Sequence, residues 1–356
     1  MLAPIQTGIC SFGMSGRLFH APFIESHPGF VLRAIVERHQ NDSASIYPNA
    51  ILCRTVEELI ADPFIELVVV NTPVQLHYAH CVAALSAGKS VIVEKPFTVT
   101  AREASALMKL AQEKNCFFSV YQNRRYDGDF RFIRSFIQSG RLGALHDVEF
   151  RYDRFRPQLS GKAHKEGDQP GAGILHDLGA HLIDQALQLF GLPNSIEATL
   201  EALRPGTSAN DHFELDLFYA GFRVRLGSNM LQEPDRFSYK LLGARGQLRV
   251  ARSDRQEAAL LAGTIPALHH WCPADPNPSA EFIDIDRSDI GIESFYLPSG
   301  NYMEYYSGIL AAIRFGEANP VAPIESLRVM ELIDAAFRSH SESRSIPADE
   351  IFRYSA

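Results

Sequence analysis

The chain has 356 residues, of which 46% are hydrophobic and 21% charged, and its formal net charge at pH 7 is −8. A chain of this length favours two domains. The negative charge argues against nonspecific binding to nucleic acid, which needs a positive surface. No apolar run reaches the ~18 residues of a membrane-spanning helix, and the start MLAPIQTGIC lacks the pattern of a signal peptide. The five cysteines are scattered with no C-x-x-C pair, which favours the reducing cytoplasm over a zinc or disulfide framework.

The first 122 residues alternate between strand-like and helix-like runs. Strands are predicted over residues 5–10, 30–36, 66–71, 90–94 and 117–121. Helices are predicted over 78–87, ahead of Gly88, and from the capping box that begins at Thr100 to about residue 114. Because strands and helices alternate, we expect residues 1–122 to form a doubly wound α/β domain with a parallel sheet.

The pattern changes after about residue 145, where apolar and polar residues begin to alternate. Such alternation predicts half-buried strands over 148–152, 213–217 and 222–226. The Pro-, Asp- and His-rich stretch 252–299 is predicted to form loops and short edge strands, and helices are predicted over 305–315 and 326–339. We therefore expect residues 123–356 to form an α+β domain built on an open, mainly antiparallel sheet.

A glycine loop follows the first predicted strand. Residues 11–16 read SFGMSG, which differs from the dinucleotide-binding pattern G-x-G-x-x-G only by Ser11 in place of the first glycine. Gly13 would let the backbone approach a pyrophosphate, and Gly16 would let the helix pack closely on the strand. The loop residues that would hold a dinucleotide are Phe12, Gly13, Met14, Ser15 and Gly16. An ordinary glycine turn is the alternative.

The residues after the second predicted strand bear on the type of dinucleotide. Glu37 lies 21 residues after Gly16, close to the ~20 expected for the acid that binds the ribose of NAD. Arg38 follows at once, and an arginine there can hold the 2′-phosphate of NADP, which Glu37 would repel. A solvated charge at a strand end is the alternative for Glu37. The sequence leaves the choice between NAD and NADP open.

A second motif, VEKPF at residues 93–97, ends the predicted strand 90–94. Together with other segments, it resembles the Gfo/Idh/MocA family of NAD(P)-dependent oxidoreductases. The similar segments include RLFHAPFI, NTPVQLH, YQNRRYDGDF, DRFRP and LHDLGAHLIDQALQLFG, so the resemblance extends in order along the whole chain. The NRR and FRP segments are most similar to a bacterial branch that includes NADP-linked scyllo-inositol dehydrogenase and uncharacterised oxidoreductases.

The resemblance implies a Rossmann domain, a C-terminal α+β domain and hydride transfer between NAD or NADP and a sugar, inositol or related hydroxy or keto compound. It also implies a homodimer or homotetramer that associates through the open sheet. The catalytic residues it implies are Lys95, Asp177 and His181. The further cofactor contacts it implies are Asn71, Thr72, Pro73, His77, Glu94 and Lys95. The substrate contacts it implies are Asn123, Arg124, Tyr152, Arg156, Asp177 and His181.

The reaction explains why such residue types are needed. Oxidation of an alcohol needs a base for the hydroxyl proton, and reduction of a ketone needs an acid at the same place. Lys95 can serve both purposes when burial favours its neutral form. Asp177 and His181 share a helix face at i and i+4, so His181 could bind the reacting oxygen and Asp177 a second hydroxyl. The spacing of His176 from these two residues matches no usual metal motif, and we expect no metal.

Each candidate also has a structural alternative. Without the family resemblance, Lys95 is an ordinary surface lysine, and Asp177 and His181 form a polar helix face. Arg124 and Arg156 could instead tie two domains together through carboxylates. The alternative functions are a nucleotide-bound sensor without turnover and a reductase of a non-sugar substrate. The sequence does not identify the substrate.

Overall fold

The computed structural model describes residues 3–285 and 291–354, which form two compact units assembled from separate stretches of chain. In the first unit, the N-terminal residues through Tyr126 are joined by Gln256–Pro273 and Asn301–Leu327. The second unit comprises Asp127–Arg255, Ala274–Gly300 and the residues that follow Leu327. No helix in the described ranges is both long and apolar enough to cross a membrane.

Strands and helices are numbered in chain order. The strands are β1 (Ile5–Ile9), β2 (Phe30–Val36), β3 (Ile51–Cys53), β4 (Leu67–Val70), β5 (Ser90–Glu94), β6 (Phe118–Tyr121), β7 (Leu145–Arg151), β8 (Ser195–Glu201), β9 (His212–Tyr219), β10 (Phe222–Asn229), β11 (Tyr239–Gly243), β12 (Gly246–Val250), β13 (Ala280–Asp284), β14 (Ile292–Phe295) and β15 (Ile346–Pro347). The helices are α1 (Ala21–Ser26), α2 (Asp42–Ile46), α3 (Val56–Ala61), α4 (His77–Ser86), α5 (Ala101–Glu113), α6 (Gly128–Gln138), α7 (Ala163–Glu166), α8 (Ala180–Phe190), α9 (Gln256–Leu261), α10 (Met303–Phe315), α11 (Pro323–Glu342) and α12 (Ala348–Ile351). Short π-helical turns over Gly16–His20 and Leu175–Gly179 lead into α1 and α8, and 3-10 turns over Val74–Leu76 and Asn123–Tyr126 precede α4 and α6.

The first unit is built on a parallel sheet with the strand order β3-β2-β1-β4-β5-β6. This is the order of a dinucleotide-binding doubly wound fold. All residues of β4 are fully buried, as expected for a strand in a sheet covered on both faces. The five predicted strands are confirmed, whereas the short strand β3 was not predicted. The predicted helix start is also confirmed, because the Thr100 hydroxyl accepts the N–H of Glu103 at 3.3 Å.

The second unit is built on a mixed sheet with the order β14-β13-β12-β11-β7-β10-β9-β8-β15. Its neighbouring strands are antiparallel except for β7 and β10, which are parallel. The predicted mainly antiparallel sheet is confirmed. The sequence could not indicate the parallel pair, because side chains alternate between faces in both kinds of ladder. In the stretch 252–299, the predicted short edge strands are confirmed, because β13 and β14 form one end of the sheet. Helix α9 in this stretch was not predicted. Residues 286–290 of the stretch lie outside the described residues.

The two faces of this second sheet differ in chemistry. On one face, helices α6 and α8 supply aromatic rings: Phe136 lies 5.0 Å from Phe282, and Phe190 lies 6.4 Å from Phe150, between ring centroids. The opposite face carries ion pairs that join different strands. These are Arg225 with Asp147 at 2.8 Å, Arg151 with Glu214 at 2.7 Å and Lys240 with Glu149 at 3.2 Å. The alternation in the sequence thus separates an apolar face packed by helices from a charged one.

Candidate functional site

The glycine loop connects β1 to the π-helical turn that begins at Gly16. A β-carbon on Gly16 would lie 2.1 Å from the backbone oxygen of Ser11 and 2.9 Å from Nδ2 of Asn71. That Asn71 amide donates to the same Ser11 oxygen at 2.8 Å and so ties the end of β4 to the loop. Only glycine fits at position 16, as the dinucleotide pattern requires.

Gly13 lies on an open side of the same loop. A β-carbon there would meet only the Ser11 hydroxyl, at 3.4 Å, and that hydroxyl oxygen accepts the Gly13 N–H at 3.2 Å. Among the described residues other than glycine, positive φ angles occur at Asn115, His270 and Ser343. The Ser11 backbone therefore does not need glycine. Open space therefore lies beside the Gly13 backbone, where a pyrophosphate can approach it.

At the end of β2, Glu37 has a hydrogen-bond partner that was not predicted. Its Oε2 accepts the backbone N–H of Ser43 at 2.9 Å and the Ser43 hydroxyl at 2.5 Å, in the first turn of α2. Glu37 is only 7% exposed, whereas Arg38 is exposed. One carboxylate oxygen of Glu37 thus holds α2, and Arg38 presents its charge to solvent.

His77 connects the loops that follow β4 and β5. Its Nε2 lies 2.8 Å from the backbone oxygen of Thr72, and its Nδ1 lies 3.0 Å from that of Pro96. Burial lowers the pKa of His77, although these hydrogen bonds and the charge of Glu94 act in the opposite direction. The side chain is 1% exposed. In this unit, His77 fixes the two strand ends that carry the candidate residues Asn71–Pro73 and Lys95.

Lys95 directly follows β5 and is joined to Pro96 by a cis peptide bond. Its backbone N–H donates to Oε2 of Glu94 at 3.0 Å. The other oxygen of Glu94 lies 2.9 Å from Nε2 of His20. Parallel α/β sheets bind ligands at the carboxyl ends of their strands, and Lys95 lies at such an end.

Asn123 and Arg124 lie in the turn after β6, and both are buried. The Arg124 guanidinium donates to the hydroxyl of Tyr302 at 2.9 Å and to Glu257 at 2.7 Å. These bonds join three stretches of chain within the first unit, which favours a structural role for Arg124.

In the second unit, Asp177 and His181 lie where the π-helical turn at residues 175–179 continues into α8. His181 is 6% exposed, and Asp177 is partly exposed. Oδ2 of Asp177 pairs with Nζ of Lys165 at 2.9 Å. The backbone oxygen of Lys165 accepts the N–H of Gly173 at 2.9 Å, which holds α7 near this turn. Lys165 was not predicted, because its only signal in the sequence is a positive charge 12 residues before Asp177.

Tyr152 and Arg156 differ in their surroundings. The buried Tyr152 hydroxyl lies 2.7 Å from the hydroxyl of Tyr239 and donates to Oε1 of Gln185 at 3.2 Å. The Arg252 guanidinium lies 4.1 Å from the centre of the Tyr152 ring. Arg156 is exposed.

Within residues 3–285 and 291–354, no three His, Cys, Asp or Glu side chains are arranged to hold a metal ion.

Two family models match the chain. The NAD-binding Rossmann fold of the oxidoreductase family matches residues 5–122, and the C-terminal alpha/beta domain of that family matches residues 134–348. The chain belongs to the Gfo/Idh/MocA family of oxidoreductases. This Gfo/Idh/MocA protein is an NAD(P)-dependent dehydrogenase or reductase, as the resemblance implied.

Several family members are similar over all or part of the chain. Scyllo-inositol 2-dehydrogenase (NADP(+)) IolW of Bacillus subtilis is 35% identical over 96% of this chain and 95% of its own length. The solved structure of the oxidoreductase YvaA from Bacillus subtilis has a TM-score of 0.92 and 34% identity, covering 98% of this chain and 99% of its own. Levoglucosan dehydrogenase of Pseudarthrobacter phenanthrenivorans is 31% identical over 41% of this chain and 38% of its own length.

Proposed function

We propose that this enzyme oxidises or reduces a sugar, inositol or related hydroxy or keto compound, with NADP as its preferred cofactor. The chemistry that a bound nicotinamide supplies is hydride transfer. Lys95 takes the proton from the reacting hydroxyl during oxidation and returns it during reduction. His181 donates a hydrogen bond to the same oxygen, and Asp177 accepts one from a neighbouring hydroxyl. The proposal rests on a glycine loop at the carboxyl end of β1 and a lysine at the carboxyl end of β5, which lie on the same edge of the parallel sheet.

The polyol class is supported by the relatives and by the second unit. Two relatives are named scyllo-inositol 2-dehydrogenase and levoglucosan dehydrogenase. The ion pair with Lys165 holds the Asp177 carboxylate in one place, and an ordered carboxylate is a good acceptor for a sugar hydroxyl. A sensor without turnover would need no acid–base lysine, and measured turnover separates the two functions.

The preference for NADP is supported by the end of β2. An acid that binds the ribose of NAD needs its carboxylate oxygens for the two ribose hydroxyls, but Oε2 of Glu37 already accepts two hydrogen bonds from Ser43. Arg38 is the next residue and is exposed, where its guanidinium can pair with a 2′-phosphate. The relative IolW is named for NADP.

A turnover screen of polyols and keto-sugars, run with NAD and NADP side by side, tests both parts of the proposal. We expect turnover on at least one neutral polyol or its ketone. Calorimetric titration should show that NADPH binds at least about tenfold more tightly than NADH. A tenfold ratio corresponds to the free energy of one charge-assisted hydrogen bond, here between Arg38 and the 2′-phosphate.

Substitution of Arg38 provides the control. Arg38→Ala should remove most of the NADPH preference, whereas Arg102→Ala, at an exposed arginine on α5, should leave it unchanged. Tighter binding of NADH by the wild-type protein would contradict the NADP assignment. No binding of either cofactor at millimolar concentration would contradict the dinucleotide site itself.

We further propose that the charged face of the second sheet associates with a second copy of the chain. Its ion pairs run across neighbouring strands, and a two-fold arrangement can match each charge with its opposite on the other copy. Arg225→Glu removes the 2.8 Å pair with Asp147 and places like charges together.

Sedimentation should therefore show a dimer or tetramer for the wild-type protein and a shift toward monomer for Arg225→Glu. The matched control is Arg314→Glu, which breaks a 2.8 Å pair with Glu66 in the first unit and should leave association unchanged. A strict monomer at high wild-type concentration would rule out association through this face.

A further inference from the structure

A fully buried histidine lies behind the strand end that carries Lys95. His20 is 0% exposed, and its Nε2 lies 2.9 Å from Oε1 of Glu94. Its Nδ1 lies 2.7 Å from the hydroxyl of Tyr306 on α10. The other oxygen of Glu94 accepts the backbone N–H of Lys95 at 3.0 Å. A continuous line of hydrogen bonds thus leads from α10 through His20 and Glu94 to Lys95.

The donors and acceptors in this line can be assigned in part. The hydroxyl of Tyr306 lies 2.9 Å from the backbone oxygen of Phe19 and 2.7 Å from Nδ1 of His20, and its one hydrogen can point to either atom. Glu94, when ionised, can only accept. Nε2 of His20 therefore carries the hydrogen of the bond to Glu94.

The surroundings of Glu94 favour its ionised form. Burial would raise the pKa of Glu94, but the hydrogen bond and charge of His20 lower it, helped by the charges of Lys95 and His77. The titratable groups that face Glu94 from the elements around it are His20, His77, Lys95, Tyr121, Tyr305 and Tyr306. Burial raises the pKa of all three tyrosines, which keeps them neutral, and burial lowers the pKa of His77. His20 thus supplies the side-chain hydrogen bond that favours the ionised carboxylate of Glu94.

We infer that His20, by donating from Nε2, keeps the Glu94 carboxylate ionised and in place and, through it, holds the Lys95 backbone at the end of β5. His20 touches neither substrate nor cofactor, and it is a positioning residue for the proton transfer. The part that concerns catalysis rests on the proposed function. The hydrogen bond from His20 to Glu94 does not depend on it and can be measured without turnover.

Nuclear magnetic resonance of protein labelled with ¹⁵N in its histidine rings tests the hydrogen bond directly. We expect Nε2 of His20 to carry a hydrogen whose signal persists in water, because the ring is fully buried and bonded to a carboxylate, and we expect this signal to shift in Glu94→Gln. His27 is an internal control in the same unit, because its Nδ1 accepts the Gly29 N–H at 3.0 Å and its Nε2 lies 3.2 Å from the Ser307 hydroxyl, so its signal should not shift in Glu94→Gln. His20→Gln and His27→Gln assign the two signals, and an Nε2 of His20 without a hydrogen in the folded wild-type protein would overturn the inference.

The effect on catalysis is tested by the pH dependence of kcat/KM. In His20→Leu, Glu94 loses its donor but stays buried, so its pKa should rise and its carboxylate should be lost as the pH falls. We expect a new decline in kcat/KM on the acid side, about tenfold, because Lys95 is then less well placed. NADPH affinity should change little.

Two further variants separate positioning from simple destabilisation. Glu94→Gln in the His20→Leu background cannot titrate, so the new decline should vanish. His20→Gln retains an N–H donor toward Glu94 and should restore part of the activity. A pH profile of His20→Leu with the wild-type shape, accompanied only by a lower melting temperature, would show that His20 serves the fold alone.

Discussion

Replacing Lys95 with alanine is expected to lower kcat on the true substrate by at least about a hundredfold, the low end of the range for general acid–base catalysis. The variant lacks the group that takes or returns the hydroxyl proton, while the glycine loop and the end of β2 are unchanged. Cofactor affinity should therefore fall much less than kcat. Steady-state kinetics and calorimetric titration of NADPH measure the two quantities separately.

Two comparisons make this result specific to Lys95. Lys109→Ala removes an exposed lysine from α5 of the same unit and should leave kcat unchanged. His181→Ala should also reduce turnover, and the double variant Lys95→Ala/His181→Ala should be little worse than Lys95→Ala alone. Residues that act on one proton transfer are not additive. A near-normal kcat for Lys95→Ala would show that Lys95 is a structural or cofactor contact.

The second large effect is expected at Gly16. In Gly16→Ala the new β-carbon would lie 2.1 Å from the backbone oxygen of Ser11, and backbone cannot rotate away as a side chain can. The loop must shift, and Asn71, which binds that oxygen, must shift with it. We expect a loss of about 3 kcal/mol in the free energy of unfolding, at the upper end for an overpacked site, together with loss of cofactor binding. Urea unfolding and NADPH titration measure these effects.

Gly13→Ala is the matched control on the same loop. Its β-carbon would make only an ordinary 3.4 Å contact with the Ser11 hydroxyl, so the fold should keep its stability. The methyl group would nevertheless occupy the space expected for the pyrophosphate and should weaken NADPH binding by about tenfold or more, or ~1.4 kcal/mol. If both variants unfold at the same urea concentration as the wild-type protein, the close approach at Gly16 is not a constraint on the fold.

Local patterns allowed much of the fold to be predicted. The strand β4 is a continuous apolar run because both of its faces are buried, and β7, β9 and β10 alternate because one face is charged. The glycine loop could be recognised from Gly13 and Gly16, because the close approach of Gly16 to the Ser11 backbone involves residues only five positions apart. Periodicity gave no sign of α9 or of the pairing partner of each strand, since both depend on contacts far along the chain.

The chemistry of the site was harder to predict, because a sequence pattern shows residue types and not their hydrogen-bond partners. Glu37 has the spacing of a ribose-binding acid, yet Ser43 on a helix that was not predicted takes one of its oxygens. From the sequence alone, His20 could not be distinguished from a core residue, because its partner Tyr306 lies 286 residues away. Lys95, Asp177 and His181 were selected through the family resemblance, and their roles stay predictions.

The assembly of the first unit from distant stretches of chain has a consequence for biosynthesis. The hydrogen bond from Tyr306 to Phe19 closes a separation of 287 residues, and the one from Ser119 to Val321 closes 202. The residues between them include most of the second unit, so the ribosome makes most of that unit before it can supply α10. Contacts of such high sequence separation form slowly because long loops must close first. The nucleotide-binding unit is thus begun first but completed only after most of the second unit has been made, and a nascent chain that ends after β6 exposes the apolar surface that α10 later covers.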